Sequence, residues 1–331
     1  MRPERLFLPF LFILAVALTS GCSLIYDYND CPTESVGAFL VDSDWLYAPD
    51  ADPEGMAYVF FPAEGEEWRF DFPGRTGGEV KLPDGEYSVM AFNDDTSGVL
   101  FGRKGDYDEF AFYCRKGGLY DGLGGTIDRP LGPDVTGQGE SVEICPDMLW
   151  CGSCSSCDLR PDGVDVTRTA GASTDHSDKR LLVMYPRRIV AEYSFIVGDV
   201  SNLGGVAHVC ASMSGMASYL RPSDMFRGSA VTLPVKAVAD GKSTISGNFL
   251  TYGLPSEGDA PNILSLYIWL ADGQKLCYTF DVTGQARGAS DPLHVAIRIS
   301  GLDLPESGPP TGGGFDVSVE GWITTVINIK S

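Results

Sequence analysis

Leu82-Pro83-Asp84-Gly85-Glu86-Tyr87-Ser88-Val89-Met90-Ala91-Phe92-Asn93 reads as a turn that feeds a strand. Asp-Gly accepts the positive backbone angles of a tight hairpin turn, and Pro83 has no N–H with which to continue a ladder. After the turn the residues alternate, placing Tyr87, Val89 and Ala91 on one side. Met56-Ala57-Tyr58-Val59-Phe60-Phe61 and Glu67-Trp68-Arg69-Phe70-Asp71-Phe72 are strands of the same kind, each bounded by Pro, Gly or Asp. So are the runs at 181–185, 189–197, 263–270 and 293–299.

The rest of the chain agrees with an antiparallel all-β protein. Forty glycines and 21 prolines punctuate short apolar runs, and helical periodicity is hardly visible. At the C-terminus Phe315, Val317, Val319, Gly321, Ile323, Thr325, Ile327 and Ile329 occupy the odd positions, while the even side is mostly polar. That pattern predicts a strand or hairpin with the odd face buried, Gly321 marking a bulge or turn.

The N-terminus is a targeting segment. Arg2 and Arg5 precede the apolar run Leu6–Leu18, and Thr19-Ser20-Gly21 lead into Cys22. Thirteen helical residues rise only about 20 Å, too little for a hydrocarbon core of about 30 Å, so the segment reads as a cleaved signal rather than a span. A cysteine directly after the small residues is the acceptor of a lipoprotein lipid. Two readings stand: lipidation at Cys22, or cleavage near Ser20 with Cys22 an ordinary thiol, since Thr19 stands where a lipobox has Leu.

Composition bounds the partners. Removing residues 1–21 takes Arg2, Arg5 and Glu4 from the 24 basic and 45 acidic residues, leaving 22 and 44 and a formal charge of −22. Nucleic acid is excluded as a partner, because it requires the opposite sign. An acidic body does not lie on anionic lipid, so contact with a membrane falls to the N-terminal lipid.

The expected organisation is a signal peptide (1–21), a tether (22–32), an N-terminal β-sandwich (33–150), a Cys-rich loop and linker (151–179) and a C-terminal β-sandwich (180–331). The polar tract 158–179 suggests the linker, and the glycine-rich stretch 117–139 a surface loop. Asp50-Ala51-Asp52-Pro53-Glu54-Gly55 imitates half a calcium loop, but Phe61 stands where the bidentate acid belongs, and a solvated turn is expected.

The most suggestive chemistry is Cys145, Cys151, Cys154 and Cys157. Trp150-Cys151-Gly152-Ser153-Cys154 looks like the tetrad of thioredoxin-type oxidoreductases, without the helix that lowers the first thiol's pKa. Iron–sulfur spacing lacks its fourth cysteine, because Pro161 stands beyond Cys157. A tetrathiolate zinc site and a disulfide-stapled loop both remain, and an oxidising compartment favours the disulfide. Cys210 and Cys277 lie in strand-like runs and are either buried apolar residues or one bridge. His176, His208 and His294 sit in no catalytic constellation, no cofactor is implied, and no enzyme is expected. Trp45, Trp68 and Trp322 are the aromatics that would stack on sugars if exposed.

The Leu82–Asn93 phrase and the lipobox, with Pro146-Asp147-Met148-Leu149-Trp150, Ser214-Gly215-Met216-Ala217 and the run Phe315–Trp322, resemble the Bacteroides-type fimbrillin and fimbrial-anchor lipoprotein family. The resemblance implies two transthyretin-like β-sandwiches tethered to the outer membrane. The implied role is a non-enzymatic fimbrial anchor or accessory subunit, or an adhesin, acting through strand addition or surface contacts. Fimbrial subunits or surface glycans would be its partners. A thiol or zinc protein using Cys145–Cys157 and a glycan-binding lipoprotein are the alternatives.

Overall fold

The computed structural model describes residues 36–102, 105–119, 139–160, 180–309 and 322–327. The signal peptide, Cys22, the tether, Cys31, His176, residues 161–179, most of the glycine-rich stretch and residues 315–321 and 328–331 lie outside them.

The described chain runs β1 (Val36–Ser43), β2 (Gly55–Pro62), β3 (Trp68–Pro73), β4 (Glu79–Pro83), β5 (Glu86–Asn93), β6 (Val99–Gly102), β7 (Ala111–Cys114), β8 (Trp150–Asp158), β9 (Arg180–Met184) and β10 (Arg187–Arg188). It continues with β11 (Ala191–Gly198), β12 (Val206–Ala217), β13 (Tyr219–Arg221), β14 (Phe226–Arg227), β15 (Ala230–Ala239), β16 (Ile245–Thr251), β17 (Ile263–Leu270) and β18 (Lys275–Asp281). A one-turn helix α1 (Thr283–Arg287), β19 (His294–Ser300) and β20 (Trp322–Ile327) complete it. The all-β expectation holds.

The Leu82–Asn93 phrase becomes the centre of the first sandwich. After the turn, β5 pairs antiparallel with β2 and with β8. Tyr87, Val89 and Ala91 face one core, and Met90 and Phe92 face another. Because neither face meets water, the run is almost wholly apolar. On the Tyr87 side the five-stranded sheet β10-β8-β5-β2-β3 packs against the three-stranded sheet β4-β1-β9. Phe60 anchors that core edge-on to Phe39, Phe70 and Tyr87, with centroids 5.9, 5.9 and 6.0 Å away, a geometry that favours aromatic quadrupoles.

The second sandwich is one eight-stranded sheet, β19-β11-β16-β15-β12-β17-β18-β20, whose ends contribute to one core. The corner is turned by β15, which pairs with β12 through Ala230–Lys236 and with β16 through Ala237–Ala239.

The two sequence halves are interleaved. A four-stranded sheet, β14-β13-β7-β6, takes two strands from each, with Tyr113 opposite Tyr219. A single cluster runs from Val59, Phe92 and Phe112 to Leu220, Leu266 and Phe280. From the N-terminal half, residues 140–145 also reach across. Val142 bridges Thr232 in parallel, the Cys145 thiol donates to the Pro234 carbonyl at 3.3 Å, and Leu119 is buried against Cys210, Tyr267 and Cys277.

The expectation of a Cys-rich loop over 151–179 is therefore corrected at its start: Trp150–Asp158 is the strand β8, inside the first sandwich. Residues 180–188, assigned to the C-terminal half by composition, supply β9 and β10 to the two sheets of that same sandwich.

Glu140 gives this clamp a pH dependence. Its carboxylate accepts the Gly215 N–H at 3.1 Å and the Thr232 hydroxyl at 2.9 Å, yet burial outweighs both and raises its pKa. The folded chain then holds this proton to a higher pH than the unfolded chain, so stability falls as pH rises from the unfolded value, about 4.3, through the folded one. Replacing Glu140 by Gln is expected to flatten the fall of the urea midpoint as pH rises above about 4.3. An unchanged slope would contradict the assignment.

Candidate functional site

The four cysteines of the suggestive cluster do not converge. Cys154 and Cys157 form a disulfide within β8. In an unbroken strand, residues three apart face opposite sides, but here β8 spends three steps where β5 spends two, from Val89 to Tyr87. This bulge turns both sulfurs to the same face. Cys151, opposite Phe92, faces the other core, and Cys145 lies against Pro234. Among the described residues no group of three or more His, Cys, Asp or Glu side chains could hold a metal ion.

The remaining thiols among the described residues are chemically quiet. Burial pushes Cys151, Cys145 and Cys277 up to about 12, and burial also raises Cys114 and Cys210. A thiol with a raised pKa supplies little thiolate at neutral pH. Cys210 and Cys277 flank Tyr267 two strands apart and are buried free thiols rather than a bridge. In the native protein at about pH 8, an alkylating reagent is expected to spare Cys151, Cys210 and Cys277 while modifying them fully in urea. Peptide mass spectrometry reads the difference, and rapid native modification would contradict it.

The aromatic candidates divide. Trp45 is buried, its Nε1–H donating to the Arg75 carbonyl at 2.8 Å and its ring edge-on to Trp150. Trp322 packs edge-on to Trp269 and Tyr267 at 5.0 and 5.7 Å. Only Trp68, 45% exposed on the edge strand β3, presents much surface. His294 bonds Asp291 through Nδ1 at 2.9 Å and faces Arg188 through Nε2, beside no nucleophile. Asp50, Asp52 and Glu54 point into solvent.

The eight-stranded sheet ends in two unlike edges. At one, the Gln285 side chain of α1 acts as a peptide group for β19, its Oε1 accepting from the Arg298 N–H at 2.8 Å and its Nε2 donating to the Arg298 carbonyl at 3.0 Å. At Arg298 the peptide group of that edge is therefore taken, which interrupts the row another chain would pair with. At the other, β20 lies parallel to β18 and pairs with nothing else among the described residues.

Ile323, Thr325 and Ile327 do continue the core row Leu276, Tyr278 and Phe280, as the odd-position pattern predicted. The burial expected of that face is corrected, however. With a neighbour on one side only, Ile323 is 55% exposed, and Val326 on the opposite face is 71% exposed. No helix among the described residues is long and apolar enough to cross a membrane.

Comparison with known proteins places the chain. A protein of Bacteroides ovatus named as a candidate fimbrium anchoring subunit, Fim4B, is 24% identical over 355 aligned positions covering 95% of each chain. A crystal structure of a candidate adhesin from Bacteroides ovatus superposes with a TM-score of 0.58 at 18% identity, covering 85% of this chain and 96% of the other, and shares the fold. The family model described as "Domain of unknown function (DUF5119)" matches residues 22–235, well over half of the 331-residue chain. The chain belongs to the DUF5119 family.

Proposed function

We propose that this protein is a non-enzymatic surface lipoprotein that anchors or accompanies a fimbria, held to the outer membrane by acyl chains on Cys22 and receiving a fimbrial subunit by strand addition at β20. The observation that carries the reading is the contrast between the two edges of the large sheet. An uncovered edge strand offers a row of N–H and C=O groups, and an added strand gains main-chain hydrogen bonds and covers exposed side chains. Ile323 and Ile327 mark the row such a strand would cover. The similarity to a protein named as a fimbrium anchoring subunit supports the same reading.

Ile323→Lys tests it. An exposed edge site changes folding stability by no more than about 0.5 kcal/mol, whereas a charge on the docking row desolvates on binding. The variant is expected to fold normally, stay in the membrane fraction and lose at least about tenfold of its co-isolated fimbrial subunit, a cost of about 1.4 kcal/mol. Undiminished co-isolation would remove β20 from the mechanism.

A further inference from the structure

Between the start of β8 and the β13–β14 turn of the four-stranded sheet, a cleft of about 450 Å³ opens to solvent. Its position is fixed by close packing: a Cβ on Gly152 would lie 3.0 Å from the Tyr185 carbonyl carbon, so the Tyr185–Pro186 backbone runs directly against β8. The next residue, Arg187, pairs with Cys151 in the β10–β8 ladder and is exposed at the cleft. Its guanidinium has no carboxylate partner among the described residues, as is also true of Arg75, Arg115, Arg227 and Arg298, but only Arg187 lines this cleft.

Two aromatic rings stand at the same opening. Tyr47, 66% exposed, lies edge-on to Tyr185 with centroids 6.4 Å apart and planes at 64°. Ser153, exposed on β8 with its hydroxyl hydrogen-bonded to Tyr107, and Met225 also line the cleft. Met225 has φ 60°, a left-handed backbone for a bulky side chain. It is held there beside the Arg221–Asp224 ion pair and the Phe226 N–H donated to Asp224. Strained residues of this kind collect at ligand clamps.

We infer that this cleft binds a carboxylated sugar, of the uronic-acid class. In a chain of formal charge −21, a guanidinium without a carboxylate partner among the described residues, lining a cleft with two tyrosine rings, selects a ligand that brings a carboxylate together with an apolar C–H face. The carboxylate takes the planar guanidinium fork, and the sugar's C–H face lies on a tyrosine ring. The volume is that of an ordinary small-molecule pocket at a boundary between domains. A cleft of about 450 Å³ holds one or two sugar rings. None of these residues belongs to the β20 edge.

Saturation-transfer NMR and calorimetry with methyl glucuronide, methyl glucoside and a glutamate tetrapeptide test the assignment on the intact protein. The glucuronide is expected to bind saturably and at least about tenfold more tightly than the glucoside. Arg187→Gln should weaken it by at least about tenfold, and Tyr47→Ala by several-fold, with unfolding midpoints unchanged. Ile323→Lys should leave it intact, which separates this cleft from the proposed strand-addition site. No saturable glucuronide binding, equal binding by Arg187→Gln, or tighter binding of the tetrapeptide than of the glucuronide would each overturn the proposal.

Discussion

Cys22→Ala is expected to move the protein wholly from the membrane fraction to the soluble extracytoplasmic fraction. Each buried methylene contributes about 0.8 kcal/mol, so one acyl chain holds only marginally while two or more hold firmly. Nothing else described in this chain would replace them: the described residues contain no helix long and apolar enough to span, and the formal charge is strongly negative. An anionic body is repelled by anionic lipid rather than drawn to it. Detergent phase partition with intact-mass measurement reads the result. Wild type should enter the detergent phase and carry acyl mass on residue 22, and the variant should do neither. A variant that partitions like the wild type would place the anchor elsewhere.

Phe92→Ala is expected to cost about 3–5 kcal/mol, the range for removing a buried aromatic side chain that leaves a cavity. Phe92 is 0% exposed and sits among Phe101, Phe110 and Phe112, with ring centroids 5.0, 5.6 and 5.2 Å away. Those rings belong to the cluster that also holds Leu220 and the second sandwich's core. Against a total stability of about 5–15 kcal/mol, the loss would bring the chain near unfolding.

Because the cluster is shared, the variant should still unfold in one transition, with Trp45 and Trp150 in the first sandwich and Trp269 in the second losing their environments together. Urea titration followed by fluorescence checks both parts. A loss below about 1.5 kcal/mol, the usual ceiling for a well-tolerated core exchange, would contradict the packing, and separate transitions would contradict the interleaving.

The strands that alternate or run apolar were legible from the chain, because burial on one or both faces leaves a local pattern: β2, β5, β11, β17 and β19 fall where the residues place them. Strand β8 was not. Trp150-Cys151-Gly152-Ser153-Cys154-Ser155-Ser156-Cys157 has the composition of a loop, and its pairing depends on a bulge and on β5, whose paired residues lie 59 to 72 positions earlier. The joint was equally hidden, since β7 meets β13 across about a hundred residues and such contacts leave no periodicity at either end.

The C-terminal alternation identified the right face of β20 but not its exposure, which follows from its place at the edge of the sheet. Within the site, the cysteine spacing pointed to a shared centre that the strand divides between two faces. The cleft residues carried only one local signal, the paired charges Arg187-Arg188 after Tyr185-Pro186.

Hydrogen exchange on β20 tests strand addition most directly. In the isolated protein the outward-pointing amides of Trp322–Ile327 should exchange quickly, since among the described residues only β18 pairs with β20. In the complex with a fimbrial subunit they should become strongly protected, while the Gln285-capped β19 edge changes little. A stable complex in which these amides exchange as before would contradict the account.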